Sequence, residues 1–242
     1  MIRTILLPNQ KNMLVWANAL FLLALLFMQQ IDALTVVFAY FLETIVIGLI
    51  HILKLWIVSA EGKPTRSKKG LQLRGLPLIF FFVLHYGMFV AIQSIFAFTL
   101  FESAVPEITS SFALLENYGY ILSVEGMPVV LASLVVTNLS YFYTNFWKNE
   151  KYKTYTPGAI FMKPYVRIFV QQFVVILAFF FYLLLSTGVV AAVLLIVFRL
   201  LIDLTMVSLH KDSETLEKLA KKYANSPDHY EEMKRKYQEF SE

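Results

Sequence analysis

The sequence has no cysteine and few charged residues, and both absences narrow the class of protein. Without cysteine the chain has no disulfides, no thiolate metal ligands and no haem attached through cysteine. Only 16% of the residues are charged, whereas 58% are hydrophobic, and the mean hydropathy is +0.63. This composition excludes an ordinary soluble domain. The sequence also lacks a phosphate-binding loop, a dinucleotide fingerprint and the Gly-x-Ser-x-Gly turn of a serine hydrolase.

Six hydrophobic runs are long enough to be considered as membrane spans, which need ~20 mostly apolar residues each. The runs are Met13–Met28, Ala33–Val58, Leu76–Phe101, Met127–Trp147, Pro164–Ser186 and Val189–Leu209. The first is the shortest, and it ends without a small-residue cleavage site, so we interpret it as a retained helix rather than a signal peptide. The predicted fold is all-α: a polytopic membrane protein with six transmembrane helices. Residues 1–210 form the predicted transmembrane domain, and residues 211–242 form a cytoplasmic amphipathic helical tail.

Lys and Arg are missing from the stretches on one side of the predicted membrane. Those stretches carry five carboxylates instead: Asp32, Glu102, Glu107, Glu116 and Glu125. Lys and Arg occur at the amino terminus, after the second and fourth runs, and in the tail. By the positive-inside rule, both termini are cytoplasmic and the Glu102–Glu125 loop is external. Basic residues at a cytoplasmic leaflet meet anionic lipid, so the net charge of +4 predicts membrane lipid, and no nucleic acid, as a partner.

The tail after His210 has the pattern of an amphipathic helix. Ser213 is a predicted N-cap for a helix over Glu214–Ala224. Leu216, Leu219, Ala220 and Tyr223 follow one another at helical spacing and form an apolar stripe. Two interpretations remain open: the helix lies on the membrane or on a cytoplasmic loop, or it docks a cytoplasmic protein partner.

Several ionisable side chains occur inside the predicted spans, where a charge costs ~2.5–3.5 kcal/mol on insertion scales. The main candidates for ligand binding or proton exchange are Glu43, His85, Arg167, Arg199 and Asp203. Helical periodicity aligns them with secondary candidates, which are Tyr40, His51, Asn138, Tyr141, Asn145 and Gln171. Lipid offers none of these groups a hydrogen bond, so the polar stripes should face one another inside the bundle.

The expected arrangement of these groups is a ladder in the cytoplasmic half of the membrane. We expect Glu43, His85, Arg167 and Asp203 to share one core, with Arg199 reaching either His85 or Glu43. For most of these residues, the alternative to ligand binding or proton exchange is a purely structural role. Arg199 can pair with Asp203 along one helix, Arg167 can extend to the interface, and the polar residues of the fourth run can bond neighbouring helices. A purely structural role explains Glu43 less well, because the one near partner on its own helix is His51, two turns away.

Five segments resemble a family of bacterial integral membrane proteins classed as a domain of unknown function. The matching segments are Tyr40-Phe41-Leu42-Glu43-Thr44 through Gly48 and Lys54, Phe82 through Phe89, Asn138-Leu139-Ser140-Tyr141-Phe142, Met162 through Ile168, and Arg199 through Leu204. The chain departs from the family pattern where Phe41 and Thr44 replace Trp and Asn, and where Val166 and Arg199 replace Gly and Lys. Gln171 and Gln172 lie where the family has a His. The resemblance implies that Glu43, His85, Arg167 and Asp203 act together, and it implies a bacterial inner-membrane location. It implies no activity, substrate or cofactor.

Three functions remain open from the sequence. The first is binding or transport of a small polar or anionic ligand, with Glu43 and His85 exchanging protons. The second is a membrane-embedded enzyme using the same residues in acid/base or metal chemistry. No metal is predicted, since the sequence has neither His-Glu-x-x-His nor two His at i,i+4. The third is a structural or assembly subunit of a membrane complex.

Overall fold

The computed structural model describes residues 6–10, 12–62, 74–102, 105–161, 163–184, 188–208, 214–224, 226–227, 229–231 and 233–234, and these are organised as helices and connecting turns. The helices are α1 (Met13–Phe27), α2 (Ala33–Glu61), α3 (Leu76–Phe101), α4 (Leu114–Ser123), α5 (Met127–Tyr141), α6 (Pro157–Phe161), α7 (Lys163–Leu184), α8 (Gly188–Ser208) and α9 (Glu214–Tyr223). A π-helix, Phe142–Trp147, continues α5, and a 3-10 helix, Lys151–Lys153, follows it. The predicted all-α class is confirmed.

Three of the described helical segments are long and apolar enough to cross a membrane: α2, α3 and the continuous stretch Met127–Trp147. Helix α1 is apolar but has only 15 residues. Helices α7 and α8 have 22 and 21 residues and lie where the fifth and sixth spans are predicted. The three long apolar segments are typical of a membrane protein, whereas the six crossings and the side on which the termini lie remain predictions.

Helix α2 occupies the centre of the bundle, in contact with α3, α5, α7 and α8. Almost all of residues 33–44 are buried, which is typical of a helix enclosed on every side. A main hydrophobic core joins this half of α2 to α1, α3, α5 and α8. A second group of buried residues packs around the other half of α2, and it includes Phe82, Tyr86, Ile160 and Tyr165. Residues that the sequence predicts to make polar contacts lie beside both groups of buried residues.

The turns before α2 and α5 pack against each other and fix where both helices begin. The Asp32 side chain caps α2 by accepting a hydrogen bond from the backbone N–H of Thr35 at 2.6 Å. Gly126 precedes α5 with φ +76°, and a Cβ there would lie 2.8 Å from the carbonyl oxygen of Gln30. Both the backbone conformation and the close approach require glycine at this position.

Two local features differ from the sequence expectation. The Glu102–Glu125 segment contains helix α4, which was not predicted; its Asn117 and Ile121 are buried, and α4 packs on α3 and α5. The fourth predicted span is not a uniform α-helix, since it changes to a π-helix at Phe142.

In the tail, α9 covers Glu214–Tyr223, and Leu216 and Ala220 of the predicted stripe are fully buried.

Candidate functional site

A buried ion pair joins the central helix to α8. Nη2 of Arg199 lies 2.7 Å from Oε2 of Glu43, and the two side chains are only 4% and 2% exposed. Nε of Arg199 donates to Oδ2 of Asp203 at 3.0 Å, one turn further along α8. One guanidinium therefore bonds two carboxylates. Such charge-assisted bonds are about twice as strong as neutral ones.

The ion pair is extended by a third helix and an aromatic ring. Asn138 of α5 donates from Nδ2 to Oε1 of Glu43 at 2.7 Å, and to the carbonyl of Leu134 at 2.9 Å. The guanidinium carbon of Arg199 lies 5.7 Å from the centre of the Tyr40 ring, a cation–π distance. We call Tyr40, Glu43, Asn138, Arg199 and Asp203 the charge network; it connects α2, α5 and α8.

The charge network matches part of the predicted ladder. Arg199 was expected to reach either His85 or Glu43, and it contacts Glu43. The i,i+4 pair of Arg199 with Asp203 is also present. Glu43, which offered no near partner on its own helix except His51, is bonded by groups from two other helices. Breaking a buried pair by removing one partner typically costs about 3–5 kcal/mol, since it leaves an uncompensated buried charge.

His85 belongs to a separate region between α3 and α7. Its Nδ1 lies 2.6 Å from the hydroxyl of Tyr165, with aromatic rings on its other sides. The ring centres of Phe81 and Phe161 lie 5.6 and 6.2 Å away. We call His51, Phe81, Phe82, His85, Phe161 and Tyr165 the aromatic cluster. His85 therefore does not join Glu43 and Asp203 in the expected shared core, because it bonds a phenol while Arg199 bonds the two carboxylates.

His51 is the second histidine of the aromatic cluster. It is 4% exposed, and its Nε2 lies 2.9 Å from the carbonyl oxygen of Ile160. Its ring centre lies 5.2 Å from that of Phe82. A backbone carbonyl is an ordinary partner for a buried imidazole N–H. The position predicted to continue the stripe of Glu43 thus ties α2 to the segment before α7.

The remaining predicted residues have different outcomes. Tyr141 packs against the main core, on the same helix as Asn138. Asn145 is half-buried within the π-helix. Because a π-helix bonds i to i+5, it turns Asn145 away from the straight-helix stripe that was predicted for it. The side chains of Arg167 and Gln171 lie outside the described residues, although their backbone forms part of α7.

The sequence did not predict the polar contacts made by His85 and by Asn18. One is the Tyr165 hydroxyl that holds His85. The other joins α1 to α5, where the Ser133 hydroxyl donates to Oδ1 of Asn18 at 2.6 Å. Asn18 lies inside the first hydrophobic run, and a polar residue there is itself a signal of an interhelical hydrogen bond. Within the described part of the chain, no three His, Asp or Glu side chains are grouped as metal ligands would be.

The comparisons with known proteins give one match. A family model described as "Family of unknown function (DUF6498)" matches residues 1–220, which include all of the charge network and the aromatic cluster. No curated protein and no solved structure matches the chain. The expected likeness to a family of unknown function is confirmed on this match.

Proposed function

The chain belongs to the DUF6498 family of unknown function, and from its own residues we propose that it is a six-span membrane protein that binds or transports a small polar or anionic ligand. The observation that supports this proposal is the bonding of Arg199 by both Glu43 and Asp203 within the bundle. Ionisable residues at membrane depth are rare, and they commonly mark ion, proton or substrate pathways.

Exchange of partners at Arg199 provides the mechanism. A guanidinium has five N–H donors in a planar fork that fits carboxylate and phosphate groups. An anionic ligand competes with Glu43 and Asp203 for these donors. Protonation of either carboxylate weakens its hold on Arg199 and so favours the ligand. Ligand binding is then coupled to proton uptake, with Glu43 as the exchanging group, and His85 exchanges protons separately in the aromatic cluster.

The proposed setting is the bacterial inner membrane, with both termini in the cytoplasm. Membrane lipid surrounds the bundle, and the α9 tail lies on the membrane or binds a cytoplasmic protein. The absence of cysteine allows a direct test, because single cysteines can be introduced at Glu107 and Lys68 without background labelling. A membrane-impermeant maleimide added to intact cells should label position 107 and leave position 68 unlabelled. Labelling of position 68 from outside contradicts the topology.

A structural or assembly role is the second candidate, and burial of the charge network favours it. Glu43, Asn138 and Arg199 are each at most 5% exposed, and they hold three helices together. In this interpretation the charges specify how α2, α5 and α8 pack. Removing Glu43 would then reduce the amount of folded protein rather than any activity of the protein that remains.

Proton uptake by reconstituted protein separates the two candidates. We would measure acidification inside proteoliposomes with an entrapped pH dye, after adding succinate or inorganic phosphate outside. Transport predicts anion-dependent acidification that Glu43→Gln abolishes while folded protein is still recovered. Glu116→Gln is the matched control, because Glu116 is an exposed carboxylate on α4. A variant that accumulates poorly but keeps its flux per molecule shows that Glu43 is structural and is not the proton-exchanging group. Folded wild-type protein that gives no anion-dependent acidification contradicts the transport proposal and supports the structural role.

A further inference from the structure

The interface between α2 and α3 contains a polar layer between two aromatic ones. At one level, the ring centres of Phe41 and Phe98 are 5.7 Å apart. At the other, the Tyr86 hydroxyl donates to the carbonyl of Thr44 at 2.7 Å, and the Tyr86 ring lies beside Gly48. These pairs show that the two helices run antiparallel.

Thr44 and Gln93 occupy the level between those two layers. Thr44 lies between positions 41 and 48 on the face of α2 that meets α3. Gln93 is two turns from Tyr86 on α3, and residues seven apart share a helix face. The antiparallel register therefore places Thr44 and Gln93 at the same depth on facing sides of the interface.

Both side chains are buried without a hydrogen-bond partner. Thr44 is 1% exposed and Gln93 is 6% exposed. No described residue bonds the hydroxyl of Thr44 or either polar atom of the Gln93 amide. Roughly 90% or more of buried polar groups in proteins are hydrogen-bonded, and an unpaired one is costly in a membrane bundle. An amide with two donors and one acceptor oxygen is an unfavourable residue to bury unless a molecule bonds it.

Five hydroxyls on the described helices donate to the carbonyl four residues earlier, at 2.6–2.8 Å: Ser94, Thr99, Thr137, Thr144 and Thr205. The hydroxyl of Ser133 instead bonds a neighbouring helix, at Asn18. Thr44 does not make this bond to its own helix. A hydroxyl without this bond is available to a partner across the interface, at the depth where the register places the amide of Gln93.

We propose that Thr44 and Gln93 bind a small uncharged molecule that both donates and accepts hydrogen bonds. Both side chains are neutral, and so a neutral molecule matches them. The aromatic layers above and below limit its size, and water, which makes two to four hydrogen bonds in buried sites, is the smallest candidate. This site is distinct from the charge network, because Glu43 directs its carboxylate to α5 and α8.

A double-mutant cycle tests whether one bound molecule serves both side chains. Thr44→Val and Gln93→Met replace the polar groups with apolar ones of similar size. A shared molecule predicts that each variant lowers the melting temperature in detergent, and that the double variant falls by less than the sum. Thr99→Val is the control, since Thr99 is exposed and bonds its own helix; it should melt close to the wild type. Single variants that melt at or above the wild-type temperature, with additive effects, would show a dry interface and overturn the proposal.

Density from high-resolution cryo-electron microscopy identifies the molecule. A peak within hydrogen-bond distance of both Thr44 and Gln93 supports the site, and its loss in Gln93→Met confirms the assignment. A compact single peak indicates water, whereas an extended one indicates a small polar solute. A direct bond between the two side chains, with no intervening density, overturns the proposal even if the cycle shows coupling.

Discussion

The charge network and the aromatic cluster use ionisable residues in opposite ways. In the charge network, Arg199 is bonded by two carboxylates and the amide of Asn138 bonds the same Glu43. In the aromatic cluster, His51 and His85 are held by a backbone carbonyl and a phenol among aromatic rings. Both regions contact the central helix or its neighbour α3. The difference shows that membrane depth alone does not decide whether a polar side chain meets a charge or a neutral partner.

The energetic consequences of the two arrangements differ. A charge that loses its partner in a low-dielectric interior is left with a large desolvation penalty. A neutral hydrogen bond typically contributes only about 0.5–1.5 kcal/mol to stability. We therefore expect the charge network to be sensitive to any change that unbalances it, and the aromatic cluster to depend more on packing than on its hydrogen bonds.

The largest expected effect follows from replacing Arg199. Arg199→Gln leaves Glu43 and Asp203 without their shared guanidinium, and should lower the free energy of unfolding by about 3–5 kcal/mol. Glu43→Gln should cost less, because Arg199 keeps its bond to Asp203. Chemical unfolding in detergent micelles measures both. Equal losses in the two variants would mean that Arg199 is not the shared centre.

The next largest loss of stability is expected from a substitution at Gly48, which packs against Tyr86 beside the aromatic cluster. A Cβ at Gly48 would run into the ring of Tyr86. Overpacking of this kind typically costs about 1–3 kcal/mol, so Gly48→Ala should lower the melting temperature. Gly87→Ala is the matched control, since a Cβ there meets no atom within 4 Å. If both substitutions behave alike, α2 and α3 are not in close contact at Gly48.

A smaller effect is expected from the bond between His85 and Tyr165. Tyr165→Phe and His85→Phe should each cost about 0.5–1.5 kcal/mol, the contribution of one neutral hydrogen bond. The double variant should cost less than the sum of the two, because both single variants remove the same bond. Unfolding in micelles gives these values. A loss as large as that of Arg199→Gln would indicate that His85 carries a buried charge, and the contrast between the two regions would disappear.

The smallest effect concerns α4, outside the membrane-spanning helices. Burial raises the pKa of Tyr118, and its hydrogen bond with Ser94 acts in the opposite direction. An unfolded tyrosine has a pKa of about 10, so above that pH the unfolded state loses its proton first. The stability contribution of the neutral phenol is full below about pH 10 and declines as pH rises through the higher folded pKa. The melting temperature should fall more steeply above about pH 10 in the wild type than in Tyr118→Phe; parallel curves would contradict this.

The sequence predicted the helices better than the contacts between them. The run Ala33–Val58 corresponds to α2 because a long apolar stretch has few alternatives in a membrane. Depth and charge left two partners for Arg199, His85 and Glu43, and the structure has Glu43. The partner of His85 was not predicted, because periodicity gives the face of a helix but not which neighbour that face meets. The position of Asn145 was not predicted, because it lies in a π-helix. Neither α5 after Pro128 nor the π-helix contains a Gly or Pro that would have indicated this change of helix type.

The most direct measurement of the central claim is the coupling between Glu43 and Arg199. Glu43→Gln, Arg199→Gln and the double variant would be unfolded in the same micelles, with Glu43→Gln and His85→Phe as the control pair. The structure predicts that the double variant loses less than the sum of the single losses, with a coupling of about 1–3 kcal/mol. The control pair should add within about 0.5 kcal/mol. Additive losses for Glu43 and Arg199 would contradict the buried ion pair, and with it the charge network as the centre of this protein.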